Sequence, residues 1–115
     1  MNKEDFVNGL KTASEKLNEE EIKSIIEDSL RPLQSNDTGL LNLIIVMEEF
    51  NEVAMEVSKY IRGKDNKTEL LEELADAYMC IKYIQCICNI SDEELNKAIN
   101  VKAQRQKNRN DQKSW

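Results

Sequence analysis

Residues 47–57 of the chain read MEEFNEVAMEV, and this stretch decides the fold. Glu49, Glu52 and Glu56 recur every three or four residues, which places them on one side of a helix. A second stretch, EELADAYMCI at residues 72–81, repeats the pattern twenty-four positions later. The two stretches therefore predict a pair of similar helices, each with an acidic edge beside an apolar face.

The composition predicts an all-α fold. The chain has 115 residues, 3 glycines, 1 proline and 5% aromatic residues, and the alternation typical of strands is missing. This length fits a single domain spanning residues 1–115. We therefore expect a helical bundle of about five long helices with few breaks.

Capping and turn signals set the expected helix ends. Residues with cap spacing open helices 2, 4 and 5, namely Asn18 with Glu21, Asn66 with Glu69, and Ser91 with Glu94. Helix 1 is expected over residues 4–17, and Pro32 ends helix 2. The sequence SNDTG at 35–39 is expected to be a turn, with Asp37 or Thr38 capping helix 3. Gly63 should end helix 3 after about Arg62. Helix 4 should run to about Asn89, and helix 5 should fray within residues 106–115.

Helices 3 and 4 form the expected centre of the fold. Only a few residues join them, and short connections make neighbouring helices antiparallel. Each helix has an apolar arc wider than one partner helix covers, with Ile45, Cys80 and Ile87 lying beyond the stripe. The pattern thus predicts a central antiparallel helix pair, completed by oligomerisation.

Four carboxylates should converge between these helices. At about 100° per residue, Glu49 and Glu73 fall among or beside the apolar residues of their own helices. Glu52 and Asp76 lie one turn further on and at the edge of the same faces. Since an ionised carboxylate is costly to bury without a partner, something positive should hold the four.

Three further glutamates lie on the same two helices but are not among the four predicted ligands. Glu48 and Glu72 should project outward into solvent, as most Glu pairs at this spacing do. Glu56 continues the acidic face by one turn, and we expect it either to support the site from behind or to be solvated.

A hard divalent cation is the simplest partner for the four carboxylates. All-oxygen sites suit Mg²⁺, with Mn²⁺ as a second possibility. The chain has no His, which excludes the Glu-x-x-His pairs of di-iron bundles, and it has no calcium-binding loop of the EF-hand type.

Charge and hydropathy limit the partners. Net charge is −6; the segment from Lys97 onward carries +5 and the rest −11. An acidic body argues against binding to a nucleic-acid polymer. The longest apolar run, LLNLIIVM, is too short to cross a membrane, and the first residues do not resemble a signal peptide. The three cysteines have no CxxC spacing, so reduced thiols in a cytoplasmic protein are expected.

The sequences EFNE at 49–52 and ELAD at 73–76 resemble the ExxE…ExxD signature of the MazG-like all-α nucleoside triphosphate pyrophosphohydrolases. The resemblance covers residues 38–109 and leaves residues 1–35 as an N-terminal helical extension. It implies dimers or tetramers of bundled helices in which Glu49, Glu52, Glu73 and Asp76 bind Mg²⁺. It also implies cleavage of a nucleoside triphosphate between the α and β phosphates, which releases a monophosphate and pyrophosphate.

The last helix offers candidate substrate contacts. Members of the family often carry Lys-x-x-x-Asn in this helix, and the nearest match here is Lys102 to Gln106, with Gln in place of Asn. Lys102, Arg105 and Arg109 share one helix face, where they could meet the leaving pyrophosphate or simply be solvated. On chemical grounds, a carboxylate not occupied by metal could act as the base, and Glu49 and Glu52 are both candidates.

Two other functions fit the same pattern. The phosphoribosyl-ATP pyrophosphohydrolases of histidine synthesis belong to the same superfamily, and the motif does not separate them from enzymes acting on nucleoside triphosphates. A non-catalytic helical module that binds a basic partner through its acidic face is the alternative from a different class. Metal-dependent release of pyrophosphate separates both enzymes from the module.

Overall fold

The chain folds into helices throughout the part that the structure, a computed structural model, describes. This part comprises residues 2–12, 17–30 and 36–112. The five helices are α1 (Lys3–Thr12), α2 (Glu19–Leu30), α3 (Asn36–Ile61), α4 (Lys67–Cys88) and α5 (Asp92–Gln112). The described residues include no strand, so the prediction of an all-α fold is confirmed. None of the described helices is long and apolar enough to cross a membrane.

Two of the predicted N-terminal caps are present as reciprocal hydrogen-bond pairs. Before α2, the Glu21 amide donates to Asn18 Oδ1 at 2.8 Å, and the Asn18 amide donates to Glu21 Oε1 at 3.2 Å. Before α5, the Glu94 amide donates to Ser91 Oγ and the Ser91 amide donates to Glu94 Oε1, both at 3.1 Å. Each pair satisfies donors that a helix start leaves without an intrahelical partner, and so fixes where the helix begins.

Gly63 ends α3, as the sequence predicts. Its φ of +85° lies in the left-handed region that glycine adopts without strain. The Gly63 amide donates to the Tyr60 carbonyl and the Lys64 amide donates to the Lys59 carbonyl, both at 3.0 Å. These two bonds form a Schellman motif, which satisfies the last carbonyls of the helix and turns the chain toward α4.

One predicted helix start is wrong, and one predicted helix end lies mostly outside the described residues. Helix α1 is described from Lys3 to Thr12, residues 13–16 lie outside the described part, and Leu17, near the predicted end, is not helical. The predicted turn over residues 36–39 is the first turn of α3 instead. Glycine costs a helix only about 1 kcal/mol relative to alanine, so Gly39 does not prevent this. Pro32, predicted to end helix 2, lies outside the described residues.

The third predicted cap is replaced by a contact between α3 and the start of α4. Asn66 occupies the N-cap position of α4, but its side chain makes no capping hydrogen bond. Asn66 Nδ2 instead donates to Glu56 Oε2 at 2.7 Å and to the Glu56 carbonyl at 2.8 Å. Both residues are buried, and Lys59 Nζ also donates to Glu56 at 2.9 Å. This contact ties the α3–α4 connection to the body of α3.

Asn66→Ala should lower the melting temperature by about 5 °C, because the buried oxygens of Glu56 would lose their Asn66 donor. Bonds from Asn66 first, and then from Lys59, lower the pKa of Glu56. The contribution is therefore present above the ordinary carboxyl pKa and is lost as the pH falls through the lowered folded pKa. Asn51→Ala, at an exposed position of α3, is the control. Thermal melts at pH 7 that show equal losses for the two variants would contradict the structural role of Asn66.

The helices pack around α4. It packs most extensively against α3, and α2 and α1 also contact it. The buried apolar side chains among the described residues are Ile26, Val46 and Cys80, of which Ile26 is fully buried.

Helix α5 projects from this body. Its base is held by Asp92, which accepts a hydrogen bond from Gln85 at 2.8 Å and pairs with Lys82 at 3.4 Å and Lys23 at 3.8 Å. Beyond this junction, every residue from Asn96 to Gln112 is exposed. The predicted fraying within residues 106–115 does not occur before Gln112, and the last three residues lie outside the described part.

Candidate metal site

Three of the four predicted carboxylates meet between α3 and α4. Glu49, Glu73 and Asp76 each offer a carboxylate oxygen, and these three oxygens lie within 4.8 Å of one another. Glu73 and Asp76 are neighbours one turn apart on α4, and Glu49 faces them from α3. We call these three residues the carboxylate cluster.

The cluster lies in a partly desolvated position. Glu49 and Glu73 are half-buried, and Glu73 Oε2 is fully buried without a hydrogen-bond partner in the described part of the chain. Burial, followed by the charges of Asp76 and Glu52, raises the pKa of Glu49. Burial, followed by the charges of Asp76 and Glu49, raises the pKa of Glu73. Both shifts mean that the site destabilises the ionised carboxylates it contains.

No described Lys or Arg neutralises this charge. None forms an ion pair with Glu49, Glu73 or Asp76 across residues 2–12, 17–30 and 36–112. The charges that shift the pKa of Glu49 and Glu73 are all acidic. A buried oxygen without a donor, beside two further carboxylates, is a good fit to a hard divalent cation, which would supply the missing positive charge.

Glu52, predicted as the fourth ligand, lies beside the cluster and not within it. Its side chain is exposed, and the three-residue cluster does not include it. It is still close enough for its charge to raise the pKa of both Glu49 and Glu73. A cation held by the cluster would therefore have Glu52 at the solvent side of the site.

The three glutamates of α3 and α4 that were not predicted as ligands differ in part from expectation. Glu48 is exposed, as predicted, whereas Glu72 is half-buried. Glu56 was expected to support the metal or to be solvated, and it does neither. It is buried and is bound by Asn66 and Lys59 at the end of α3. Glu56 faces the α3–α4 connection because the buried amide of Asn66 is its closest donor.

The predicted substrate contacts all lie on the exposed part of α5. Lys102, Arg105, Gln106 and Arg109 are exposed, and no hydrogen bond or ion pair joins them to the cluster within the described chain. Gln106 donates to Asn110 at 2.9 Å, one turn further along the helix. These side chains are therefore available to a ligand or to another molecule.

Two further residues lie near the cluster. Cys80, which the sequence placed beyond the apolar stripe of helix 4, is buried, and burial, followed by the charges of Glu49 and Asp76, raises the pKa of its thiol. Lys3 escaped the sequence reasoning. Lys3 of α1 pairs with Glu69, one turn before Glu73. Since this pair joins residues far apart in the chain, no local pattern could have revealed it.

Comparison with protein-family models, with curated proteins and with solved structures finds no match to this chain. The arrangement of the carboxylates is therefore the main physical basis for proposing a function.

Proposed function

We propose that the chain is a Mg²⁺-dependent nucleoside triphosphate pyrophosphohydrolase of the MazG-like all-α superfamily. The observation that carries the proposal is the carboxylate cluster, in which three oxygens lie within 4.8 Å and Glu73 Oε2 is buried without a partner. The resemblance of residues 49–52 and 73–76 to the family signature is the basis for the reaction we propose, in which a triphosphate is cleaved to a monophosphate and pyrophosphate.

The proposal includes an antiparallel α3–α4 pair as the scaffold of the site. Contacts between the helices run in opposite order along the chain, which supports this arrangement. Glu56 near the end of α3 meets Asn66 at the start of α4, while Glu49, two turns earlier, meets Glu73 and Asp76 further along α4. Each helix thereby supplies carboxylates to the same gap, which is what a shared cation needs.

Glu49, Glu73 and Asp76 would hold Mg²⁺, with Mn²⁺ as a substitute of the same donor preference. When bound, the cation would neutralise phosphate oxygens and lower the pKa of a nearby water. Glu52 is exposed at the edge of the cluster, where it can accept a proton from a water approaching the phosphate. This position favours Glu52 as the base and Glu49 as a ligand.

Lys102, Arg105, Gln106 and Arg109 are the proposed substrate contacts. Three of the four are cations. They lie on the exposed helix α5, which begins after the C-terminal end of α4, whereas the cluster lies nearer the N-terminal end of α4. Positive groups suit the leaving pyrophosphate, which carries the charge of two phosphates. The proposal also includes homo-oligomers, in which an α5 helix could serve a site on a neighbouring chain.

A product assay tests the function. Each of several triphosphates, canonical and modified, and phosphoribosyl-ATP is incubated with the protein and Mg²⁺, and pyrophosphate and orthophosphate are measured separately. We expect pyrophosphate that is lost when the metal is chelated, with the preferred substrate separating the two enzyme subclasses. Orthophosphate as the primary product would contradict the assigned reaction, and no turnover of any substrate would favour the non-catalytic acidic module.

The cations of α5 give a second prediction. Lys102→Ala and Arg105→Ala should each raise KM or lower kcat by about tenfold, because each removes a charge that contacts the phosphates. Lys97→Ala is the matched control, since Lys97 is exposed near the start of the same helix and pairs with Glu93. Metal-induced stabilisation should be the same in all three variants. If Lys102→Ala and Arg105→Ala behave like Lys97→Ala, α5 takes no part in the reaction.

A further inference from the structure

An ion pair joins the first helix to the start of α4, close to the carboxylate cluster. Lys3 Nζ of α1 donates to Glu69 Oε1 of α4, and the two residues are 66 positions apart in the chain. The Lys3 side chain is 61% exposed and that of Glu69 is 34% exposed, so the pair lies at the surface. The hydrogen bond to Glu69, and then the charge of Glu69, raise the pKa of Lys3. Lys3 is therefore a cation at physiological pH.

Glu69 shares its side of α4 with the two cluster residues of that helix. At 100° per residue, Glu69 lies about 40° from Glu73 and about 20° from Asp76 around the helix axis. Glu69 and Glu73 are one turn apart, and residues at this spacing have Cβ atoms about 5–6 Å from each other. The partner of Lys3 thus lies on the cluster side of α4, one turn before the cluster.

A cation at this position is within reach of a polyphosphate bound at the cluster. A nucleoside triphosphate spreads its negative charge over three linked phosphates, so a metal that binds one of them leaves the next to be bound by protein cations. One helical turn rises about 5.4 Å, which is a short distance for a phosphate chain to span. The ammonium group of Lys3 lies beyond Glu69 at the surface, where a substrate from solvent can meet it.

The cations of α5 approach the cluster from the other end of α4. Asp92, at the base of α5, contacts Gln85, which lies about 14 Å beyond Asp76 at about 1.5 Å per residue. Every residue from Asn96 to Gln112 is exposed, so this part of α5 does not pack back against the described helices. Measured along α4, Lys3 is therefore held closer to the cluster than the base of α5 is.

Lys3 is also free to exchange its partner. Exposed ion pairs contribute little to stability, because water and salt screen them, so a phosphate can replace Glu69 with little loss. Lys59 is different, since it donates at 2.9 Å to the buried Glu56, and its departure would remove a donor from a buried carboxylate. Lys3 can bind an incoming anion without leaving such a group behind.

We infer that Lys3 binds the phosphates that leave as pyrophosphate, exchanging the Glu69 carboxylate for a phosphate oxygen when the substrate binds. Either oxygen accepts a charge-assisted hydrogen bond from the ammonium group, so the exchange conserves the bond. The inference rests on the proposed function. It gives α1, which lies outside the resemblance to the family, a place in the site, and it makes Glu69 the residue that holds Lys3 beside the cluster until the substrate arrives.

Binding of inorganic pyrophosphate in the presence of Mg²⁺ tests the inference, because it requires neither turnover nor a choice of base. By isothermal titration calorimetry, Lys3→Ala should raise the Kd about tenfold, since it removes a charge-assisted hydrogen bond. Lys3→Arg keeps the positive charge and should restore most of the affinity. Lys11→Ala is the matched control and should leave the Kd unchanged, because Lys11 is exposed in the last turn of the same helix.

Glu69→Gln should change the Kd in the opposite direction. Glutamine breaks the same ion pair, but it frees Lys3 and removes a negative charge beside the phosphates, so the Kd should fall by up to about fivefold. If the ion pair served only to hold α1 in place, Lys3→Ala and Glu69→Gln would change the Kd in the same direction. That result would overturn the inference, and so would a wild type that does not bind pyrophosphate.

The product assay for the proposed function separates the two possible failures. Pyrophosphate release from a triphosphate, with equal Kd values for the wild type and Lys3→Ala, would overturn the role of Lys3 and leave the proposed reaction standing. The expected changes in Kd without turnover of any triphosphate would support Lys3 as a phosphate contact and contradict the proposed reaction.

Discussion

Replacing Glu73 with glutamine should lower kcat for a nucleoside triphosphate by about a hundredfold or more. Glutamine keeps the size of the side chain but removes the negative charge from the carboxylate whose Oε2 is buried without a hydrogen-bond partner in the described part of the chain. Glu49→Gln and Asp76→Asn should have similar effects, because each removes one of the three converging oxygens. Initial rates of pyrophosphate release at saturating Mg²⁺ measure the loss.

Glu48→Gln is the matched control for this series. Glu48 neighbours Glu49 in the chain but is exposed and lies outside the cluster, so its variant should stay within about twofold of the wild type. Glu52→Gln separates two roles. Loss of turnover with a normal thermal response to Mg²⁺ would identify Glu52 as the base, whereas loss of both would make it a ligand. Equal damage from Glu48→Gln and Glu49→Gln would reject the site.

The spacing of residues predicted the helix starts correctly where the contacts that fix them join residues close together in the chain. The caps at Asn18–Glu21 and Ser91–Glu94 join residues three apart, so spacing alone reveals them. The helical period likewise brought Glu73 and Asp76 together and placed Glu49 opposite them. The division into residues 1–35 and 38–109 stays a prediction.

Two expectations failed because of contacts that the spacing of residues along one helix does not show. Asn66 has the residue type and position of a cap, but the buried Glu56 ten residues earlier takes its amide instead. In projection, Cys80 lies beyond the apolar stripe of its own helix, yet it is buried, and the charge of Glu49 on α3 reaches its thiol. A helical projection gives the direction of a side chain but not what lies in that direction.

Mg²⁺ should stabilise the wild-type protein strongly and the Glu73→Gln variant hardly at all. A ligand that binds only the folded state adds about 2.7 kcal/mol at a hundredfold excess over its Kd. For a chain of this size, that corresponds to a rise in melting temperature of about 10 °C or more. Thermal melts with and without Mg²⁺ measure the rise, and equal responses in both proteins would reject a shared metal site.

Without metal, the Glu73→Gln variant should be more stable than the wild type, which is the reverse of their order with Mg²⁺. The pKa of Glu49 and Glu73 is raised in the folded state, so the folded protein binds protons more tightly than the unfolded chain does. Their stabilising contribution is fully present below the ordinary carboxyl pKa and is lost as the pH rises through the raised folded values. At pH 7, metal-free Glu73→Gln should therefore melt above the metal-free wild type, because glutamine removes a desolvated charge and its repulsion of Glu49 and Asp76.

As the pH falls through the raised pKa values of these carboxyls, the stability advantage of the variant should shrink. The response of the wild type to Mg²⁺ should also shrink, because protons compete with the cation for the same oxygens. A metal-free variant that is less stable than the wild type at pH 7 would mean that the cluster is held by contacts other than a cation.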